Sequence, residues 1–586
     1  MRQLQWIKQN GFGGVELAWI HPSWLEEPLP SAPRPSWLSA EWSELVVFTK
    51  READTLDLGC DFTFGSAWPF GGSSVSPSYA ARAFDGLSEQ RLVNSWEEIE
   101  RGRTYIVNHL SRTALEHYAL PLLSALKDAL PGSRSALFCD SLEIDTERLW
   151  SPELWTQFAE RLGYELQPYV NDLDRYPDVR YDYRQFRGEV IRREFYRAFT
   201  DLCRTHGAYS RVQCHGAPTD LLAAYAAVDV PESESLLFPP SFSRIAASAA
   251  AWEGKPVVSA ETFTCIYGFP GWDDSAEEYW KSESIGDLKL LADSLFAHGI
   301  NQIVWHGMPF QPHGDNDVEF YAAVHVGPDS PLAPTLPAFN VYLQQVSSYM
   351  RSGEAYAGLG VYLPYEDALM EDRIPEEERT PGANYRWEMR HAVPPLETES
   401  YHPLWISYPF LREAQVQDGV IRSRRLAVPA IYIDCEWLDF QSLRELLRLS
   451  RAGAHIIWKR RTRQPGRNTS SEYDSYQDEI SQSPSTFSSL AEFTPFLEGD
   501  DLPPYWARVV HGELLVFFAH PAAKLIRYPM PYNLSAQAEA VERAVRLRWN
   551  GHDLPLKLQF EPNMPVLSSV RHNEHVWRRL PLLKVQ

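Results

Sequence analysis

The chain has no C-x-x-C pair. Its six cysteines, Cys60, Cys139, Cys203, Cys214, Cys265 and Cys435, stand singly among 586 residues. That spacing supplies neither a zinc-ligand set nor a disulfide framework. Several of these cysteines lie inside apolar strand patterns, where a thiol behaves as a small buried hydrophobe. No apolar run reaches membrane-spanning length. The opening stretch MRQLQWIKQNGFGG has no apolar signal region, so the plain expectation is a cytoplasmic location. Basic charge is also scarce. Lys and Arg total 55 against 78 Asp and Glu, for a net charge of -23. Without a basic stripe to offset that charge, nucleic acid is an unsuitable partner.

What remains is an ordinary soluble composition, 44% hydrophobic and 23% charged. The length exceeds what one core holds, so a barrel-sized domain and one or two others are expected. Twenty Trp and 44 Pro are high counts. Most of the indoles belong to core packing. Exposed ones suit the C–H faces of sugar rings, and Pro suits long ordered loops.

Up to about residue 330, strand patterns alternate with helical ones, the mark of βα units and a parallel sheet. A helix over Arg2–Gln9 stops at Asn10-Gly11. Strands are expected at Gly14–Trp19, Asp57–Phe64, Ala136–Glu143, Tyr209–His215, Val228–Glu234, Pro256–Glu261 and Asn301–His306. Helices are expected at Ser43–Thr55, Asn108–Leu130, Phe186–Thr205, Thr219–Ala227 and Leu288–His298. In most of these strands every second residue is small or polar, as in Gly14, Glu16, Ala18 and in Arg211, Gln213, His215. Parallel strands are normally apolar on both faces. A persistently polar face toward the strand ends is expected where a (β/α)8 TIM-type barrel opens into a site. Seven strands are counted where a barrel needs eight. The chain opens inside a helix pattern, so the first strand is expected to be missing upstream, or to hide in residues 66–105.

The barrel is expected over residues 1–335. A small three-layer α/β domain is expected over 336–500, with strands Gly358–Leu363, Ala427–Ile433 and Ala454–Trp458 and helices Ala338–Tyr349 and Leu443–Leu449. Within it, Gln464–Ser489 is rich in Ser, Asn, Gln and Asp and reads as a mobile loop. An antiparallel β domain is expected over 501–586.

The chemistry is expected at the carboxyl ends of the barrel strands: Asp61, Asp140, Glu143, Asp145, His215, Asp229, Glu232, Glu234, Glu261 and His306. Glu143 and Glu261 share parity with the small residues of their strands. Two carboxylates at one barrel mouth are the minimum equipment for cleaving a glycosidic bond. Crowded carboxylates raise one another's pKa, which keeps one protonated as an acid. Alternatively a hard cation neutralises them, and an oxygen-rich, Cys-free cluster suits Ca²⁺ or Mg²⁺. The loop Gly65–Gly72 (GSAWPFGG) offers Trp68 as a sugar platform. His215 and His306 are equally consistent with hydrogen-bonded structural roles. Thr219 or Asp220 serves as a helix N-cap.

The series GSAWPFGG, CDSLEID, SRVQCHGAPTD, DVPESE, VSAETFT and GINQIVWHG, in this order across residues 65–307, resembles glycoside hydrolase family 106, the α-L-rhamnosidases. The resemblance implies a (β/α)8 barrel, an inverting mechanism with two carboxylates, and a calcium ion near a carbohydrate substrate. It matches Glu261 to the general acid. It places the base in the DSxE segment, with Glu143 first and Asp145 second. Glu232 or Glu234, with the carboxylate not used as base, become calcium-ligand candidates. Asp140, His215 and His306 become sugar contacts. A retaining hydrolase, or a non-catalytic carbohydrate-binding scaffold on a degenerate barrel, are the competing expectations.

Overall fold

The computed structural model describes residues 1–19, 35–86, 88–93, 104–132, 134–144, 146, 148–269, 278–309, 326–371, 389, 392–571 and 577–585. The polar–apolar alternation read in the sequence becomes seven strands. These are β1 (Gly14–Leu17), β2 (Gly59–Thr63), β3 (Ala136–Cys139), β4 (Tyr209–Gln213), β5 (Val230–Ser235), β6 (Ser259–Thr262) and β7 (Gln302–Trp305). The chain divides into two compact units. One holds Met1–Val230, Tyr365–Met389 and Pro465–Thr469; the other holds Pro231–Pro364, Arg390–Gln464 and Ser470–Gln586.

In the first unit β1, β2, β3 and β4 lie side by side in chain order, all parallel. Parallel neighbours need crossovers, and helices supply them. Ala40–Thr55 precedes β2, with Ser39 accepting from the Trp42 N–H at its start. Arg112–Ala125 precedes β3, with Ser111 accepting from the Ala114 N–H. Such caps satisfy donors that a helix start leaves open. Before β4 the helix runs further back than the sequence pattern suggests: Pro177–Ile191, a wide turn at Arg192–Arg197, then Ala198–Thr205. The described residues of the 66–105 stretch include short antiparallel strands, pairing Gly71–Gly72 with Tyr105–Ile106 and Arg82–Asp85 with Ser88–Arg91. Among the described residues the parallel series has seven members, not eight, and no strand in 66–105 joins it. The α/β class stands; a closed eight-stranded barrel does not follow from these residues.

The polar face of β1–β4 carries an ion network. Parallel register sets Glu16 beside Asp61. Two adjacent carboxylates repel, and Arg211 of β4 answers both. One guanidinium nitrogen donates to Asp61 Oδ2 at 2.6 Å, and the other to Glu16 Oε2. Thr63 donates to Glu16 Oε1 at 2.5 Å, and the Ala136 N–H to Asp61 Oδ1 at 2.7 Å. Phe138 lies under the guanidinium, 4.7 Å from its carbon. Burial pushes the Glu16 carboxyl up, and the Arg211 charge opposes that shift. Asp61 was expected at the mouth of the site and is instead committed here. Asp229 is also displaced from that expectation. It precedes β5 and binds Arg204 at 2.5 Å and the Ser210 N–H at 3.1 Å.

In the second unit β5, β6 and β7 are parallel neighbours. The helix Ile285–Phe296 leads into β7, capped by Ser284. A five-stranded parallel sheet follows the order Pro403–Ile406, Leu359–Tyr362, Ile431–Ile433, Ile456–Trp458, Thr486–Phe487. The expected loop Gln464–Ser489 contains a helix, Tyr473–Gln482. Its polar composition hides a buried stripe: Tyr473, Gln477 and Ile480 are buried at helical spacing. Arg461 holds Asp474 and Asp478, one turn apart on its outer side. Antiparallel strands then build a core from two sheets. His552–Phe560 alternates without a break, burying His552, Leu554, Leu556, Leu558 and Phe560.

The Arg211 network predicts its own stability test. Arg211→Met leaves two carboxylates facing each other on a buried face, and should cost about 3–5 kcal/mol in urea unfolding. Combining it with Glu16→Gln and Asp61→Asn should restore most of that loss. A single-variant cost under about 1 kcal/mol, the size of an exposed pair, would contradict the assignment.

Candidate active site

In the first unit the site residues follow β3 and β4. The sequence reads as a strand through Glu143, yet β3 stops at Cys139. The Asp140 carboxylate explains the stop: its Oδ1 accepts from the Ser141 N–H at 2.8 Å. That local bond offers the backbone an alternative to the ladder. Strand parity therefore does not aim Glu143. Two other contacts do. Ser141 donates to Glu143 Oε1 at 3.1 Å, and both residues are buried. Gly216 packs against the same segment. A Cβ at residue 216 would lie 2.6 Å from the Leu142 carbonyl and 3.2 Å from Glu143 Cγ, on a backbone with φ of +73°. The fully buried His215 is thus carried to the Glu143 segment by its neighbour. Beyond it Asp220, one of the two expected caps, accepts from the Ala223 N–H at 3.1 Å, while Thr219 donates to the Gly188 carbonyl. Asp145 lies outside the described residues.

The loop after β2 is held by Tyr118. Its hydroxyl accepts from the Ser66 N–H at 3.0 Å and donates to the Gly71 carbonyl at 2.9 Å. Trp68 is half-buried in that loop. Its indole N–H is enclosed and has no hydrogen-bond partner among the described residues.

In the second unit the register of β5 and β6 pairs Glu232 with Ser259 and Glu234 with Glu261. Residues in register on parallel strands share a face, so three carboxylates line one surface. Glu232 is fully buried, and Ser259 donates to its Oε2 at 2.6 Å. Glu261 lies within β6, near its carboxyl end. Thr264 donates to Glu261 Oε1 at 3.2 Å, and His306 Nδ1 lies 3.0 Å from the same oxygen. Thr264 Oγ1 and His306 Nδ1 are themselves 3.0 Å apart. The three groups close a triangle around one carboxylate oxygen. The Glu261 side chain keeps 16% of its surface and that of His306 24%, enough to meet a ligand. Thr264 and Ser259 escaped the sequence reading. Their signal is proximity in VSAETFT, two residues before and three after Glu261.

The six cysteines are buried, and none forms a disulfide. No described helix is long and apolar enough to cross a membrane.

The chain is similar to known glycoside hydrolases. The glycoside hydrolase family 106 model, described as alpha-L-rhamnosidase, matches residues 98–388. A rhamnosidase from Novosphingobium sp. PP1Y superposes with a TM-score of 0.70 at 14% identity, over 99% of this chain and 81% of that one. A beta-galactosidase from Bacillus circulans sp. alkalophilus gives 0.57 at 11% identity, over 96% and 95%. These identities carry the fold. A putative beta-glucuronidase from Formosa agariphila is 27% identical over 221 residues, 35% of this chain. The match spans only 18% of that relative's length.

Gly216 provides a clean test of how the site is held. Gly216→Ala meets both a left-handed backbone and the Leu142 carbonyl. Gly163→Ala meets a similar backbone, φ +77°, with nothing within 4 Å. The second variant should cost about 1 kcal/mol and the first about 1–3 kcal/mol more, read by chemical denaturation. Equal costs would mean that the close approach to the Glu143 segment does not exist.

Proposed function

We propose that the chain, whose residues 98–388 match the glycoside hydrolase family 106 model, hydrolyses glycosides, releasing terminal α-L-rhamnose or a similar deoxysugar with inversion. The observation that carries this reading is the setting of Glu261. Thr264 and His306 meet Glu261 at Oε1, and its carboxyl group is assigned as the proton donor to the glycosidic oxygen. As that oxygen takes the proton, negative charge grows on the carboxylate. Donors already aimed at Oε1 stabilise it without rearrangement. His306 with hydrogen on Nδ1 supplies one of them, and Thr264 the other.

Glu143 is assigned as the base that activates water, in keeping with its buried position and with the Ser141 hydroxyl that donates to it. Asp145 is the second candidate. Inversion requires room for that water, with carboxyl groups roughly 6.5–9.5 Å apart. His215, Asp140 and Trp68 are proposed sugar contacts.

A divalent cation fits the second unit's carboxylates. Glu232 and Glu234 stand two residues apart on one face, and no thiol shares it. Oxygen donors of this kind select a hard ion such as Ca²⁺. Bound there, the ion would fix sugar hydroxyls and hold the two carboxylates together.

Two measurements test the reading. Glu261→Gln should slow hydrolysis of a rhamnosyl disaccharide by roughly 10²–10⁴-fold, because a sugar leaving group needs the proton. A dinitrophenyl glycoside needs none and should lose far less. Glu143→Gln should slow both alike. Equal losses in the Glu261 variant would reverse the roles, and unchanged rates in both would remove the pair from catalysis.

Chelation tests the metal. EDTA should lower activity or melting temperature, with recovery on adding Ca²⁺. A protein indifferent to chelation in both measurements has no such ion.

A further inference from the structure

Downstream of Glu261 the second unit presents an aromatic surface that the proposed chemistry does not use. Tyr279 and Tyr532 are stacked, with ring centroids 4.1 Å apart and planes tilted by 7°. Tyr267 meets Tyr532 edge-on at 5.3 Å and Tyr279 at 6.2 Å. Tyr267 is buried, whereas Tyr532 keeps 46% of its surface open. A ring half open to water on a stacked support presents a flat, fixed face to a ligand.

This surface is rigidly tied to the loop that carries the site. The Met530 N–H donates to the Ile266 carbonyl at 2.7 Å. The Phe269 N–H donates to the Tyr528 hydroxyl at 3.1 Å. Asp287 links the two segments from below. Its Oδ2 accepts from the Tyr267 hydroxyl at 2.6 Å, and its Oδ1 from the Ser535 N–H at 2.7 Å. Gly286 lies so close to Ser535 that a Cβ there would sit 2.6 Å from the hydroxyl oxygen. Tyr267 lies six steps along the chain from Glu261, at most about 20 Å when extended. The loop is shorter than that, because Phe263 and Cys265 have φ of 79° and 40° and the Gly268 N–H returns to the Cys265 carbonyl at 2.9 Å.

We propose that Tyr532, stacked on Tyr279, is the platform for the leaving-group side of the substrate, and that its occupant is a second pyranose ring. This rests on the hydrolase reading above. A pyranose has a flat C–H face for the ring and hydroxyls at its rim for neighbouring tyrosine oxygens. A methyl leaving group has neither. The platform would bind what departs, not the sugar that is released by inversion.

The test compares a rhamnosyl disaccharide with methyl α-L-rhamnoside, using the full chain. Tyr532→Ala should lower kcat/KM for the disaccharide roughly tenfold more than for the methyl glycoside. The loss should appear mainly in KM. Tyr532→Leu keeps apolar bulk but removes the flat face, and should show the same selective loss even if the alanine variant folds poorly. Tyr532→Phe keeps the face and should retain most of the preference. Equal changes on both substrates, or none on the disaccharide, would overturn the platform while leaving the hydrolase intact. Wild-type protein that hydrolyses neither substrate would overturn the hydrolase reading, and the platform with it.

Discussion

Arg211 is the constraint on which the first unit turns. Parallel pairing forces residues of like position onto one face, and here that brings the carboxylates of Glu16 and Asp61 together. Without a cation the face would be self-repelling and partly desolvated. A guanidinium can serve two carboxylates at once because its donors lie in one rigid plane. Phe138 supplies a surface for that plane to rest on. The arrangement spans β1, β2, β3 and β4, so one side chain fixes the relative placement of four strands. A buried ion pair need not add net stability, because desolvation of both partners opposes it. Its effect is to make one register much better than its neighbours. A slip by a single residue would turn Arg211 to the opposite face and leave two acids behind.

The carboxylates of the second unit are handled by a different chemistry. Glu232 is met by a serine hydroxyl, and Glu261 by a threonine hydroxyl and an imidazole. Hydroxyls can donate to a carboxylate or accept from a carboxylic acid, since they do both. An imidazole changes its own charge within the working range of pH. Such partners tolerate either protonation state of the acid they hold. Arg211 does not: it is permanently charged and has only donors to offer. The contrast separates acids paired with a guanidinium from acids met by groups that suit either protonation state. It also separates Asp61 from Glu261, which look alike as polar residues near strand ends.

That distinction marks the limit of what the sequence could reveal. Period-two alternation identified all seven strands, because pleating is a local property and the small or polar residues of Gly14–Leu17 or Ser259–Thr262 report it directly. It placed Glu261 correctly, inside a strand. It overran at Glu143, where the Asp140 side chain closes a turn that alternation does not see. It put Asp61 and Asp229 in the site, because their partners Arg211 and Arg204 lie far away in sequence. Composition misled at Gln464–Ser489, where three buried positions at helical spacing matter more than the polar residues between them. Tyr532 was invisible for the reason that Arg211 was. Its meaning comes from Tyr267 and Tyr279, which only the folded chain brings to it.

The backbone just after Glu261 couples the setting of its carboxylate to the aromatic surface beyond it. To reach back to Glu261 Oε1, Thr264 must leave the strand direction within two residues. Phe263 makes that reversal, with φ of 79°, a conformation a bulky residue rarely adopts. Strain of this kind costs on the order of 1–3 kcal/mol. The Phe263 ring offsets it: fully buried, it meets Trp305 at 4.6 Å and Phe339 at 6.3 Å. Burying a phenyl ring contributes about 1.5–3 kcal/mol, the same order as the strain. Trp305 is the last residue of β7 and directly precedes His306. The ring that allows Thr264 to turn back therefore also seats the strand end that delivers the imidazole. From the same turn the chain continues to Tyr267 and the stacked tyrosines. One strained residue sets the direction of the acid's two partners and of the aromatic surface beyond them.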